Sequence, residues 1–213
     1  MMVAPEQWPF PHTVDVGVYH PALLAEALAE FNSVPLDLWQ HFNNDHERKA
    51  AVSFTAARPF TPACWALREQ FASPEFTAHL EHLFGIEGLI FDELGGGLHS
   101  IPPGGHLDPH VDFNRDASER YRRVNLLLSL TRAWDGHSDE GALILYDEHR
   151  HPARVITPEF NTRVLFACSD TSWHGHPVPH PRRVRRSLAA YYFTTTPPPD
   201  YTWPHDTEWM TPA

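Results

Sequence analysis

The sequence predicts a mainly β fold with supporting helices, of the double-stranded β-helix or jelly-roll type. Residues 20–85 carry helical patterns with cap residues, whereas from Leu89 onward short apolar runs alternate with Gly, Pro, Asn and Asp. Such punctuation is typical of an antiparallel sandwich or barrel. The 213 residues are expected to form one domain, with supporting helices at about 20–85 and a jelly-roll core at about 86–196.

The first part of the chain is expected to supply the supporting helices. Proline at a helix start, apolar residues every three or four positions and a closing glycine are the signals that define them. The segment between the first two helices fits neither period. The predicted elements are an irregular lead-in at 1–11, a strand at 12–19, helices at 21–31, 61–71 and 73–84, and an unassigned segment at 34–60.

The second part is expected to supply eight strands, enough for a jelly roll. Each is a short apolar run bounded by turn residues. The tail at 197–213 is proline-rich and is expected to pack on the surface without regular structure. The predicted strands lie near 89–94, 97–101, 107–112, 122–130, 141–146, 153–156, 163–168 and 186–195.

Composition narrows the possible partners and the compartment. The formal charge of −11 would repel a phosphate backbone, so nucleic acid is not an expected partner. No apolar run approaches the ~20 residues that span a bilayer, so no membrane association is expected. Two widely separated cysteines, Cys64 and Cys168, form no disulfide framework, which indicates a reducing compartment, and a cytoplasmic protein is expected.

A metal site is predicted from His110-Val111-Asp112. In an extended strand, His110 and Asp112 point to one face and Val111 to the other. An imidazole and a carboxylate are two of the three ligands of a 2-His-1-carboxylate site for iron(II). The third ligand is expected at His174, after an apolar strand and a small polar turn, because Gly175 allows the backbone to pass close to a metal. The alternative is His176, two positions on, although its position before proline is restricted.

An anion site is predicted on the last strand. Arg185 and Ser187 share a strand face and could hold a carboxylate, since a guanidinium donates two hydrogen bonds and a hydroxyl a third. Arg186 would point to the opposite face. A buried Arg185 would need a counter-charge, which an anionic small molecule supplies.

Together these residues resemble the iron(II)/2-oxoglutarate-dependent dioxygenases, in particular the prolyl-hydroxylase branch. The resemblance covers about 95–195 and includes His110-Val111-Asp112, His174 and Arg185-Arg186-Ser187 in the order of that family. It implies iron(II), 2-oxoglutarate and O2 as cofactor and cosubstrates. It also implies that Arg185 and Ser187 hold the far carboxylate of 2-oxoglutarate. The expected reaction is hydroxylation of an amino-acid, peptidyl or similar small substrate.

The chain departs from the prolyl-hydroxylase pattern at Ser129, where relatives often carry a tyrosine that helps to hold the cosubstrate. Ser129 is too short to replace that hydroxyl, and Asn125, on the same strand face, is expected to contribute instead. Two other hypotheses remain at this point. One is a cupin-like metal enzyme that does not use 2-oxoglutarate, and the other is a non-catalytic jelly-roll binding domain.

Overall fold

The computed structural model describes residues 4–55, 62–92, 95–135, 137 and 140–211. Three helices lie in the first part of the chain: α1 (Pro21–Ser33), α2 (Pro62–Ala72) and α3 (Pro74–Phe84). The strands are β1 (His12–Val16), β2 (Gln40–Asn43), β3 (Arg48–Ser53), β4 (Ile90–Phe91), β5 (Gly97–Ile101), β6 (Leu107–Val111), β7 (Tyr121–Ser129), β8 (Leu143–Tyr146), β9 (Pro152–Ile156), β10 (Thr162–Ala167), β11 (His174–His176), β12 (Arg185–Thr194) and β13 (Glu208–Trp209).

The strands form two antiparallel sheets. The major sheet has the order β1-β10-β7-β12-β5-β3-β2, with β4 pairing to β12, and the minor sheet has the order β13-β6-β11-β8-β9. Strands that follow one another in sequence, such as β5 and β6 or β7 and β8, lie in opposite sheets. This arrangement confirms the predicted jelly-roll class.

The three predicted helices are confirmed, and their ends follow from local chemistry. The side chain of His20 accepts a hydrogen bond from the Ala22 amide at the start of α1, and Ser73 does the same for Phe76 at the start of α3. Gly85 ends α3 in the left-handed conformation with φ of 65°. The predicted start of the second helix at Thr61 lies outside the described residues.

Four strands were not predicted. β2 and β3 occupy the unassigned segment, where polar and apolar residues are mixed and β2 is largely exposed. β11 has three residues and β13 has two, too few to show a period. The expectation that the tail lacks regular structure was wrong, because Glu208 and Trp209 pair with Val111 and His110 of β6.

The helices cover one face of the major sheet and leave the other face for the site. Alternation along β7 and β12 directs Leu126, Leu128, Leu188 and Tyr192 into the core beneath the helices, where the Tyr192 hydroxyl donates to the Phe71 carbonyl at 2.8 Å. The residues between them point toward the minor sheet. The space between the sheets is therefore lined by the odd-numbered residues of β12, beginning with Arg185.

Across the described residues, no helix is both long and apolar enough to cross a membrane.

Candidate metal centre

His110, Asp112 and His174 meet between the two sheets. One potential ligand atom from each lies within 4.8 Å of the others. The Nε2 atoms of His110 and His174 lie 3.7 and 3.5 Å from the Asp112 carboxylate oxygens. β6 and β11 pair with His174 directly opposite His110, and this register brings the two imidazoles to a centroid distance of 4.4 Å.

Backbone carbonyls fix the orientation of both histidines. Nδ1 of His110 donates to the Asp108 carbonyl at 2.8 Å, and Nδ1 of His174 donates to the Ser172 carbonyl at 2.9 Å. Each bond leaves Nε2 directed at Asp112, which is the arrangement that metal-binding histidines require. Burial, and then the neighbouring His110, lowers the pKa of His174 to about 4. The His174 ring is therefore neutral and offers a lone pair near neutral pH.

Gly175 allows β11 to lie against β6. A Cβ atom at this position would lie 2.8 Å from the Asp108 carbonyl oxygen, the same oxygen that accepts from His110. The sequence predicts that Gly175 lets the backbone pass close to a metal. In the structure the close neighbour is the backbone of the opposite strand.

The Asp112 carboxylate is held on one side by two polar side chains. Asn125 donates from Nδ2 to Asp112 Oδ2 at 2.8 Å, and Arg122 Nη2 lies 3.3 Å from the same oxygen. Arg122 Nε also donates to Asn125 Oδ1 at 2.9 Å, which closes the network. Burial alone would raise the pKa of Asp112, but Arg122, followed by the two histidines, holds it well below its ordinary value. The other carboxylate oxygen of Asp112, Oδ1, contacts neither Asn125 nor Arg122 in this network.

Arg122 was missed by the sequence analysis because strand alternation would place it on the face opposite Asn125. The pairing of β7 with β12 shifts register at this point. Val124 lies opposite Tyr192 and Arg122 lies opposite Phe193, so β7 has one extra residue, Arg123, between two consecutive residues of β12. Such a bulge turns a side chain to the other face. The Arg122 guanidinium is then buried between the rings of Phe113 and Tyr191, at 4.9 and 3.9 Å from their centroids.

His176, the alternative third ligand, lines the same cavity but lies away from the triad. It pairs with Leu107 rather than with His110, and its Nδ1 atom contacts the Ala142 carbonyl at 3.1 Å. Burial, and then Arg185, lowers its pKa well below the ordinary value. Among the described residues, the group that could hold a metal comprises His110, Asp112 and His174.

Arg185 and Ser187 lie together in the wall of the cavity that the triad also lines. The Arg185 side chain is buried, donates from Nη1 to the Ser187 hydroxyl at 3.2 Å, and leaves Nε without a hydrogen bond. No carboxylate of the described residues pairs with it, and burial lowers its pKa to about 10. Arg186 points to the helix side, 5.8 Å from the Phe31 ring centroid, as predicted. A buried guanidinium with no counter-charge fits an anionic ligand.

The triad and the Arg185–Ser187 pair line one cavity. A second space adjoins it and is here called the mouth. Lys49, His110, Asp112 and Arg122 lie at the junction of the two spaces. Apolar side chains close the inner cavity around the polar groups, and aromatic rings line the mouth. The apolar inner wall is formed by Ile101, Leu107, Leu127 and Phe166, and the aromatic rings of the mouth are those of Phe42, Phe113, Tyr191 and Trp209.

Ser129, where the relatives' tyrosine is missing, and Asn125, which is expected to contribute instead, both have partners within the protein. The Ser129 hydroxyl donates to the Pro158 carbonyl at 2.5 Å. Asn125 lines the cavity, but its amide contacts Asp112 and Arg122, so its contacts are those of a residue that orients Asp112. A role for Asn125 in cosubstrate binding stays a prediction.

The fold and the site together define a jelly-roll protein with a 2-His-1-carboxylate cluster, the ligand set of non-heme iron(II) oxygenases. A sequence profile described as the 2OG-Fe(II) oxygenase superfamily matches residues 96–193. The matched span is just under half of the chain and contains His110, Asp112, His174, Arg185 and Ser187. The chain is a 2-oxoglutarate-dependent Fe(II) dioxygenase. Its cofactor and cosubstrates are Fe(II), 2-oxoglutarate and O2. No curated protein sequence matches the chain significantly.

Solved structures show the same fold at low sequence identity. A prolyl-4-hydroxylase from Pseudomonas putida is 15% identical, with a TM-score of 0.69, over 86% of this chain and 92% of that chain. A prolyl hydroxylase from Trichoplax adhaerens, in complex with a hypoxia-inducible-factor peptide fragment, is 16% identical with a TM-score of 0.67, over 85% and 83%. HygX from Streptomyces hygroscopicus, with nickel and 2-oxoglutarate bound, is 12% identical with a TM-score of 0.61, over 86% and 83%.

Proposed function

We propose that this dioxygenase hydroxylates an amino-acid, peptidyl or similar small substrate, with iron(II) bound by His110, Asp112 and His174. The far carboxylate of 2-oxoglutarate binds Arg185 and Ser187. One observation carries the proposal: three metal-ligand side chains and a buried, uncompensated guanidinium face a single cavity. The family implies a metal and a dicarboxylate, and these residues fit both.

The donor chemistry fits iron(II) in particular. Two neutral imidazoles and one carboxylate form the facial set that leaves coordination positions open for other ligands. With iron and 2-oxoglutarate bound, the site supplies oxidative decarboxylation to succinate and CO2, coupled to insertion of one oxygen atom into a C–H bond. The remaining tasks, which are orientation, charge balance and exclusion of water, belong to the side chains of the chain itself.

Arg122 and Asn125 orient Asp112. Both contact Oδ2, while Oδ1 lies 3.7 Å from His110 Nε2 and Oδ2 lies 3.5 Å from His174 Nε2. Arg122 also supplies a positive charge beside the carboxylate, which keeps Asp112 ionised. These contacts preorganise the ligand before metal arrives.

The part of the cavity that Arg185 and Ser187 line is suited to a carboxylate. Arg185 Nε has no partner, and Ser187 is already within hydrogen-bond distance of the guanidinium, so an entering carboxylate can accept from both. Apolar side chains of Ile101, Leu127 and Phe166 line the same cavity. A dry site strengthens the ionic contact.

The mouth is suited to a substrate with apolar surface and balanced charge. Phe42, Phe113 and Trp209 line it, and the Lys49 ammonium is paired with Glu47 at 2.8 Å. The Trichoplax adhaerens relative is solved with a peptide fragment, which supports a peptidyl substrate for this chain. The chain's two cysteines, Cys64 and Cys168, are free thiols, and this supports the cytoplasmic location that we propose.

The test begins with binding and continues to turnover. Under anaerobic conditions, iron(II) plus 2-oxoglutarate should give a visible charge-transfer band and raise the melting temperature. Amino acids, short peptides and cell extract are then screened in air for succinate together with a product one oxygen atom heavier. The Asp112→Ala, His174→Ala double variant is the control. A wild-type protein with neither signal, or a double variant that keeps both, would contradict the proposal.

A further inference from the structure

Prolyl-hydroxylase relatives often hold the cosubstrate with a tyrosine hydroxyl at the position of Ser129, and this chain lacks that hydroxyl. The Ser129 hydroxyl is engaged with the Pro158 carbonyl, and the Asn125 amide is engaged with Asp112 and Arg122. Both side chains thus have partners inside the protein, and the predicted contribution of Asn125 would have to be made beside its contacts to Asp112 and Arg122. Arg185 and Ser187 remain, and a carboxylate has two oxygens with about four acceptor positions.

His99 lies beside this pair in the major sheet. On β5, His99 is in register with Ser187 of β12, and Ile101 is in register with Arg185. Residues directly opposite each other in antiparallel strands have Cβ atoms about 4.5–5.5 Å apart. His99, Ser187 and Arg185 therefore project from one patch of sheet into the same cavity, whose walls include all three.

The His99 imidazole is available for a ligand. Throughout the described ranges, no side chain or backbone group forms a hydrogen bond with it, although it is half-buried and lines the inner cavity. His99, Arg185 and Ser187 line the inner cavity and do not line the mouth. A polar ring in such a place gains a hydrogen bond when a polar ligand enters.

The surroundings favour an anionic ligand over a cationic one. Burial, and then Lys49 and Arg185, lowers the pKa of His99 to about 3, so the ring is neutral and has one N–H to donate. The charged residues on the inner wall are Lys49, Arg122, Arg185 and Asp112. Lys49 is paired with Glu47 and Arg122 with Asp112, which leaves Arg185 as the cation of this wall with no carboxylate partner among the described residues.

We propose that His99 is a cosubstrate-binding residue that donates a hydrogen bond to the far carboxylate of 2-oxoglutarate, beside Arg185 and Ser187. It takes the place of the tyrosine hydroxyl that prolyl-hydroxylase relatives supply from the position of Ser129. This inference rests on the proposed function, because it assumes that the carboxylate binds at Arg185.

A matched pair of variants tests it by binding rather than by turnover. His99→Leu removes the N–H and keeps much of the volume, whereas His99→Gln keeps an N–H of similar reach. Iron(II)-loaded protein is titrated anaerobically with 2-oxoglutarate and, separately, with oxalate, which chelates the metal but has no far carboxylate. His99→Leu should weaken 2-oxoglutarate binding by about tenfold or more, His99→Gln by less than threefold, and neither should change oxalate binding.

The possible outcomes separate this inference from the proposed function. If His99→Leu binds 2-oxoglutarate within twofold of wild type, or loses oxalate by the same factor, His99 does not bind the far carboxylate. A wild-type protein that binds the metal but not 2-oxoglutarate overturns the proposed function, and the inference with it. If the His99→Leu variant does not fold, a measurement on the wild-type protein alone still tests the inference. In zinc-loaded protein with isotope-labelled histidine, 2-oxoglutarate but not oxalate should shift the His99 imidazole resonance, and an unshifted resonance overturns the inference.

Discussion

Asn125 donates a 2.8 Å hydrogen bond from its side-chain amide to Oδ2 of Asp112, and the same amide accepts from Arg122. The carboxylate therefore has a fixed orientation without a metal. Partners of this kind raise the affinity of a metal site by about 10- to 100-fold. The effect of Asn125 and Arg122 on metal affinity can be measured without catalytic turnover.

Asn125→Leu should weaken iron(II) or zinc binding by about 10- to 100-fold, because Asp112 loses its donor and Arg122 loses its acceptor. The measurement is competition with a chromophoric chelator. Leu127→Met, on the same strand face, is the control, since Leu127 lines the cavity without contacting the carboxylate through a polar group. Equal metal affinity in the Asn125→Leu variant and in the control would show that the contact does not orient the ligand.

The third protein ligand can be decided by comparing two histidines on β11. His174→Ala should abolish stoichiometric iron binding, because His174 Nε2 lies 3.5 Å from Asp112 and completes the triad. His176→Ala should retain it, since His176 pairs with Leu107 and lies outside that group. Metal analysis after anaerobic reconstitution and gel filtration gives the answer. The opposite result, with iron lost from the His176 variant alone, would make His176 the ligand.

The predictability of the site differed from residue to residue for physical reasons. Arg185 and Ser187 could be placed on a shared face because strand alternation is regular along β12, and His110 and Asp112 because the chain continues directly from β6 into Asp112. Arg122 could not, because a bulge in β7 reverses its direction, and a bulge depends on the pairing with β12 rather than on local sequence. A basic residue three positions before Asn125 was visible in the sequence, but its face was not.

The fold was predictable where elements carry their own signals. α1 and α3 begin at Pro after a capping side chain, and both were predicted. β2 and β13 lie at sheet edges and are short, so pairing with β3 and β6, rather than composition, makes them strands. The contacts of Ser129 could not be predicted from the sequence for the same reason. Its departure from the family was visible, but its bond to Pro158 depends on a residue 29 positions away.

Arg185→Met should separate stability from binding. In the metal-free protein, a buried guanidinium with an unpaired Nε costs free energy, and an apolar side chain of similar length removes that cost. We expect a melting temperature equal to or higher than that of wild type, together with a loss of 2-oxoglutarate binding and retained metal binding. Thermal melts and anaerobic titration measure the two effects. A lower melting temperature with 2-oxoglutarate affinity unchanged would mean that Arg185 is a structural residue.

The stability of the metal-free protein should depend on pH through buried histidines. The pKa of His174 is lowered from 6.5 to about 4 and that of His99 from 6.5 to about 3, in both cases first by burial. Between these values and 6.5 the unfolded chain binds more protons than the folded chain, so stability rises with pH. Acidification from pH 7 toward pH 4 should therefore lower the free energy of unfolding, by about 1.4 kcal/mol per pH unit for each such histidine.

His99→Gln provides the test of this assignment, because it removes one of the buried titrating rings and retains a polar side chain. Its free energy of unfolding should fall less steeply than that of wild type between pH 6 and pH 4, by about the contribution of one proton. Chemical denaturation of the metal-free proteins at several pH values measures both slopes. Identical slopes would show that His99 is not held neutral in the folded state.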